Sequence, residues 1–71
     1  MVYVQDDDRL WSVNAVEGFA EPVGQSPFRE NVPENEIIRY EGKIDDYLRE
    51  QGYRDLEYKS GTIDKWYFAS I

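Results

Sequence analysis

A chain without cysteine has to hold its fold by packing and hydrogen bonding alone, and this one does so within 71 residues. Disulfide staples and thiolate metal sites are excluded outright. Small secreted domains usually depend on such staples, so their absence favours a reducing, cytoplasmic setting. A domain of this length buries only about 60% of the surface its unfolded chain exposes. Its core supplies on the order of 3–5 kcal/mol. A drug-sized ligand takes a cavity of roughly 300 Å³ or more, which so thin a core has little room to enclose. Histidine is absent as well. That removes the usual general base at neutral pH and the commonest metal ligand. The expectation is a single domain over residues 1–71 that binds through its surface, with no catalytic residues, no cofactor and no metal. The N-terminus, Met1-Val2-Tyr3-Val4-Gln5-Asp6, has no basic or apolar leader region. It reads as the start of a complete small reading frame.

The hydropathy pattern divides the chain. Residues 1–4 read as a strand, 5–9 as an Asp-rich turn and 10–16 as a second strand. In the second strand Trp11, Val13 and Ala15 share one face and Ser12 and Asn14 the other. Residues 17–31 are broken by Gly18, Pro22, Gly24 and Pro27 and read as a long irregular loop, anchored by Phe19, Val23 and Phe28. Ser26-Pro27 is a start signal for a short helical turn within it.

The spacing predicts a helix from about Pro33 to Gln51. Ile37, Tyr40, Ile44, Tyr47 and Leu48 recur at three- and four-residue intervals and form one apolar stripe. Asn31 with Glu34 fits a capping pattern, and Glu34 and Glu36 suit the positive end of the helix dipole. Gly52 supplies a C-terminal cap. Gly42 falls on the opposite face and has no explanation within such a helix, where it costs about 1 kcal/mol relative to Ala. Residues 53–58 and 63–69 read as a C-terminal hairpin turning at Lys59-Ser60-Gly61-Thr62, with Gly61 at positive φ. The expected fold is α+β, in the order β-β-α-β-β. Its sheet has four mainly antiparallel strands, with one helix on one face.

Two features point to a surface. Trp66, Tyr67 and Phe68 are consecutive in the last strand, so they alternate between faces. Trp66 and Phe68 are expected beneath the helix. Tyr67, whose hydroxyl can stay wet, is expected on the other face. With Tyr58 it is a candidate contact for a partner, since Tyr, Trp and Arg are enriched at binding hot spots. The second feature is charge: 15 acidic against 8 basic residues, net −7. Direct binding to nucleic acid or anionic membrane demands a basic patch and is disfavoured. Glu41, Asp45 and Asp46 on the helix form a candidate acidic docking face for a basic protein, with Arg49 pairing along it. Asp6-Asp7-Asp8 lacks the alternating ligands of a calcium loop and reads as a solvated turn.

The composite expectation is a small acidic protein-binding module, an inhibitor that occupies a basic surface of a nucleic-acid-handling partner. Its size and charge match a profile common among phage and mobile-element anti-defence proteins, the anti-CRISPR type included. The alternative is an accessory subunit, or an obligate homodimer, of a housekeeping complex.

Overall fold

The computed structural model describes residues 2–24, 32–61 and 64–69. Phe28 and the Ser26-Pro27 start signal lie outside them, as do Asn31 and Ile63. Six strands form one sheet: β1 (Val2–Gln5), β2 (Leu10–Asn14), β3 (Phe19–Pro22), β4 (Ile37–Arg39), β5 (Arg54–Lys59) and β6 (Lys65–Ala69). Among the described residues one α-helix, α1 (Ile44–Glu50), separates β4 from β5 in the chain, and a 3-10 turn, Glu34–Glu36, precedes β4. The sheet order is β4-β1-β2-β3-β6-β5. Every neighbouring pair is antiparallel except β1 with β4. The α+β class holds. The four-stranded sheet in the order β-β-α-β-β does not: the sheet is six-stranded and mixed, and the helix is far shorter than its apolar spacing implies.

Gly42 explains the shortened helix. Its φ is +130°, and a Cβ there would lie 3.0 Å from the Tyr40 ring. An L-residue rarely takes this conformation, so the backbone breaks just before α1 instead of running through it. Upstream of the break Ile37 and Ile38 are β-branched and pair with Tyr3 and Val4. Such residues suit a pleated surface better than a helix. The apolar stripe was therefore a composite, half strand and half helix. Glu34 and Glu36 sit in the 3-10 turn, and Glu41 precedes α1. The helix ends where expected, at Gly52, with the Tyr53 N–H donating to the Leu48 carbonyl at 3.1 Å. Gly61 is not among the glycines at positive φ.

The stretch expected as a loop after residue 17 contributes β3, which lies inside the sheet between β2 and β6. Pro22 is tolerated there because of where its missing donor would point. The Val23 N–H donates to Leu10 of β2 at 2.9 Å, so the Pro22 nitrogen faces the β6 side. On that side the pairing has already ended at Phe19 and Ala20. Gly18 makes the approach to β6 possible. Its carbonyl accepts the Phe68 N–H at 3.0 Å, and a Cβ on it would stand 2.6 Å from the Phe68 carbonyl oxygen.

The core lies between α1 and one face of the sheet. Ile44, Tyr47 and Leu48 of α1 meet Val4, Trp11, Val13, Ala20 and Phe68. Tyr40, Tyr53, Leu56 and Trp66 pack around them. Register places Val4, Trp11, Val13, Ala20 and Trp66 on this face, and alternation adds Phe68. Ala15, expected in line with Trp11 and Val13, lies past the end of β2 and is exposed. Tyr67 pairs with Phe19 on the opposite face and is 38% exposed.

Candidate functional site

The corner where the β1–β2 turn meets α1 is built around one carboxylate. Asp6, expected in a solvated turn, is only 5% exposed. Its Oδ1 accepts the backbone N–H groups of Asp8 and Arg9, both at 2.8 Å. Its Oδ2 accepts the Trp11 indole N–H at 3.0 Å and the Ile44 backbone N–H at 2.9 Å. Lys43, the residue at the helix cap, makes no side-chain cap bond. Asp6 thus caps α1 from 38 positions away, satisfying a donor that a helix start leaves open. Neighbouring bonds reinforce the junction. The Asp7 N–H donates to the Gly42 carbonyl at 2.9 Å, the Tyr40 N–H to Gln5 at 2.9 Å, and the Lys43 ammonium to Asp8 Oδ2 at 2.8 Å. That contact with Asp8 holds the Lys43 pKa above the ordinary lysine value. Among the described residues no group of three or more His, Cys, Asp or Glu is placed to hold a metal ion.

Beside this corner a cleft of about 250 Å³ opens between the start of α1 and the β5–β6 hairpin. Trp11, Trp66 and Tyr58 supply its aromatic surface; Asp8, Asp45, Arg9 and Lys43 contribute its charges. Tyr58 and Trp66 are cross-strand partners with ring centroids 5.2 Å apart. The Arg9 guanidinium sits 5.6 Å from the centroid of the Trp11 ring and 3.8 Å from Asp64. Desolvation, then the charge of Asp64 and a hydrogen bond to it, raises the pKa of the Tyr58 phenol. Among the described residues no buried side-chain nitrogen or oxygen lacks a hydrogen-bond partner.

The residues singled out from sequence do not form one surface. Asp45 and Tyr58 both line the cleft. Asp46 is exposed on α1, where Arg49 reaches it at 3.2 Å and Asp45 at 3.1 Å. Glu41 is exposed in the segment before α1 and enters no ion pair among the described residues. Tyr67 lies across the sheet. There the Lys59 ammonium stands 5.4 Å from the Tyr67 ring centroid and that of Lys65 4.4 Å from the Phe19 centroid, both at cation–π distance. Sequence reading missed Asp8, Arg9, Trp11 and Lys43 as cleft residues. One signal for this corner was available: a buried indole N–H needs an acceptor, and Trp11 follows a run of three aspartates.

Charge is skewed across the molecule. Residues 1–51 contain 12 acidic and 5 basic residues, whereas residues 52–71 contain 3 of each, so the whole net charge of −7 resides in the first 51. In the sheet this sets β4, β1, β2 and β3, with α1, against a neutral β6–β5 edge. Asp7, Glu34, Glu36 and Glu41, around β4 and the start of α1, form no salt bridge among the described residues. No helix among the described residues is long and apolar enough to cross a membrane. Compared with protein-family models, curated proteins and solved structures, the chain finds no match.

Proposed function

We propose that this protein is a binding module that occupies a basic surface of a nucleic-acid-handling protein and inhibits it, in the manner of phage or mobile-element anti-defence proteins such as anti-CRISPRs. The observation that carries the reading is the charge skew. The acidic side of the sheet, with its unpaired carboxylates, attracts a basic surface, while the neutral hairpin edge does not oppose the approach. A one-sided field of this kind accelerates encounter with a channel built for phosphate. Aromatic side chains at the cleft then supply contact area at low entropic cost.

The test is capture followed by kinetics. Immobilised protein should retain a nucleic-acid-binding protein from host extract, and added duplex DNA or RNA should displace it. The association rate with that protein should fall as salt rises, because screening shortens the electrostatic reach. Changing Asp45 and Asp46 together to Lys should slow association further. Folding stability should move by only about 1 kcal/mol, since partly exposed surface pairs and helix-end charges contribute little. An association rate indifferent to salt would remove the basic-partner reading.

A further inference from the structure

We infer that the cleft between α1 and the β5–β6 hairpin receives an arginine side chain from the partner protein. The inference rests on the proposed function for the partner's basic character, and on the cleft itself for the choice of arginine. Tyr58 is 48% exposed and tilted against Trp66, so two aromatic surfaces border the opening. Aromatic faces attract cations, and a planar guanidinium can stack on them while an ammonium cannot.

The charges at the cleft are not balanced. Asp6, Asp8 and Asp45 face Arg9 and Lys43. Asp6 already accepts four N–H groups and has nothing left to offer. Asp8 and Asp45 differ from it. Each gives only Oδ2 to a cation, Lys43 and Arg49 respectively, and its Oδ1 has no partner among the described residues. Those two oxygens are acceptors of the kind that guanidinium N–H groups bond most strongly. The two resident cations are themselves opposed, Lys43 by Asp8 and Arg9 by Asp64. Arg9 also shows the chemistry in place, since its own guanidinium lies near the Trp11 ring in the same cleft. An incoming carboxylate would have to displace Asp64 or Asp8 to reach Arg9 or Lys43, and an uncharged apolar group would leave the free oxygens unused.

The probe is a capped Gly-Arg-Gly tripeptide, with the isosteric uncharged Gly-citrulline-Gly and Gly-Lys-Gly as comparisons. Binding is read from the NMR signals of the Trp11 and Trp66 indole N–H groups. The arginine peptide should shift them saturably, with a dissociation constant on the order of 1 mM, as expected for so small a ligand. Citrulline should give no saturable shift, and lysine should bind more weakly. Tyr58→Ala and Asp45→Asn alter an exposed and a half-buried side chain outside the core, and each should weaken arginine binding by about 2–5-fold. Equal response to arginine, citrulline and lysine overturns the assignment. So does the absence of any shift at tenfold higher concentration, or binding unchanged in both variants. The two readings fail separately. If the arginine peptide does not bind but a captured partner still associates in a salt-dependent way, the cleft assignment falls and the proposed function stands. If the peptide binds but no nucleic-acid-binding protein is retained, the function falls and the cleft stands.

Discussion

Asp6 and Asp55 are the same residue type in two parts of one sheet, and they do opposite things. Asp6 is buried at the corner between β1, β2 and α1, with four donors on its two oxygens. Asp55 is exposed on the edge strand β5, at φ +54°, inside a register shift between Arg54 and Glu57. The corner ties together segments nearly forty residues apart through Asp6–Ile44, Asp7–Gly42 and Gln5–Tyr40 bonds. β5 pairs only with β6, and only Leu56 among its residues is not exposed. Cooperative stability therefore concentrates at the corner. The bulge also kinks β5, which blunts an edge that would otherwise offer unpaired backbone groups to other chains. The C-terminal hairpin edge is thus freer to vary than the corner, even though Phe68 and Trp66 anchor it.

The largest effect that would break this contrast is at Asp6. An Asn side chain offers one carbonyl oxygen and presents an amide donor to the remaining N–H groups. In Asp6→Asn one pair of donors loses its acceptor, either the Trp11 indole with the Ile44 N–H or the Asp8 and Arg9 N–H groups, at about 1–3 kcal/mol for each group left unsatisfied. Against a core worth on the order of 3–5 kcal/mol, the variant should be largely unfolded in thermal denaturation. Asp7→Asn, one residue along and exposed, should stay within about 0.5 kcal/mol of the parent. Equal melting temperatures for the two variants would mean that the corner is not the keystone described.

A smaller loss is expected at Gly42, where Ala meets both an unfavourable φ and the Tyr40 ring. Gly42→Ala should destabilise by about 1–3 kcal/mol. In a continuous helix the same change would stabilise by up to about 1 kcal/mol, so the sign of the measured change decides between the two conformations.

What the sequence made legible, and what it hid, follows the range of the interactions. The β1–β2 and β5–β6 hairpins show as local alternation broken by turn residues. The opposite facing of Tyr67 and Phe68 follows from strand geometry alone. The helix was overextended because Ile37, Tyr40 and Ile44 happen to keep a helical spacing across a break that Gly42 imposes. β3 is four residues long, ends in Pro22 and follows Gly18, so it carries loop chemistry although its pairing on both sides makes it a strand. The parallel partnership of β1 with β4 leaves no local trace. Nor does the burial of Asp6: three successive aspartates read as solvent-facing, and only Trp11 and Ile44, meeting in space, make one of them an internal cap. For the candidate site, Tyr58 and Asp45 were visible as surface residues, but the cleft joining them is a product of tertiary structure.

At the edge the expected change is small. Asp55 takes a conformation that glycine adopts freely, and Asp tolerates better than most residues. Asp55→Gly should therefore shift stability by less than about 1 kcal/mol, since relief of the backbone is offset by the greater freedom of Gly in the unfolded chain. A loss as large as that of Asp6→Asn would show that β5 is as tightly coupled as the corner.

The finest comparison uses two tyrosines, one from each region, at high pH. The Tyr40 phenol is pushed up to about 12, first by its hydrogen bond to Glu50, then by partial burial and by the charges of Glu50, Asp46 and Asp45. Its ring meets Tyr47 edge-on with centroids 5.4 Å apart. Tyr58 beside β6 is also raised, with desolvation as the leading cause. Tyr47 shifts the same way through burial. A folded-state pKa above the unfolded value of about 10 means that the fold favours the neutral phenol. The stabilisation from Tyr40 is therefore complete below pH 10 and is lost as pH rises toward 12. Thermal stability of the parent should decline across that interval more steeply than that of Tyr40→Phe, which has no phenol to ionise at that position. Tyr58→Phe should change the slope less, because its phenol lies on an open cleft. Tyrosinate absorbance should show the same order, with the highest-titrating phenol missing in Tyr40→Phe and retained in Tyr58→Phe. If Tyr58→Phe removes it instead, the hydrogen bond that closes the α1 side of the corner is weaker than the one at the hairpin, and the contrast between the two regions narrows to the Asp6 network alone.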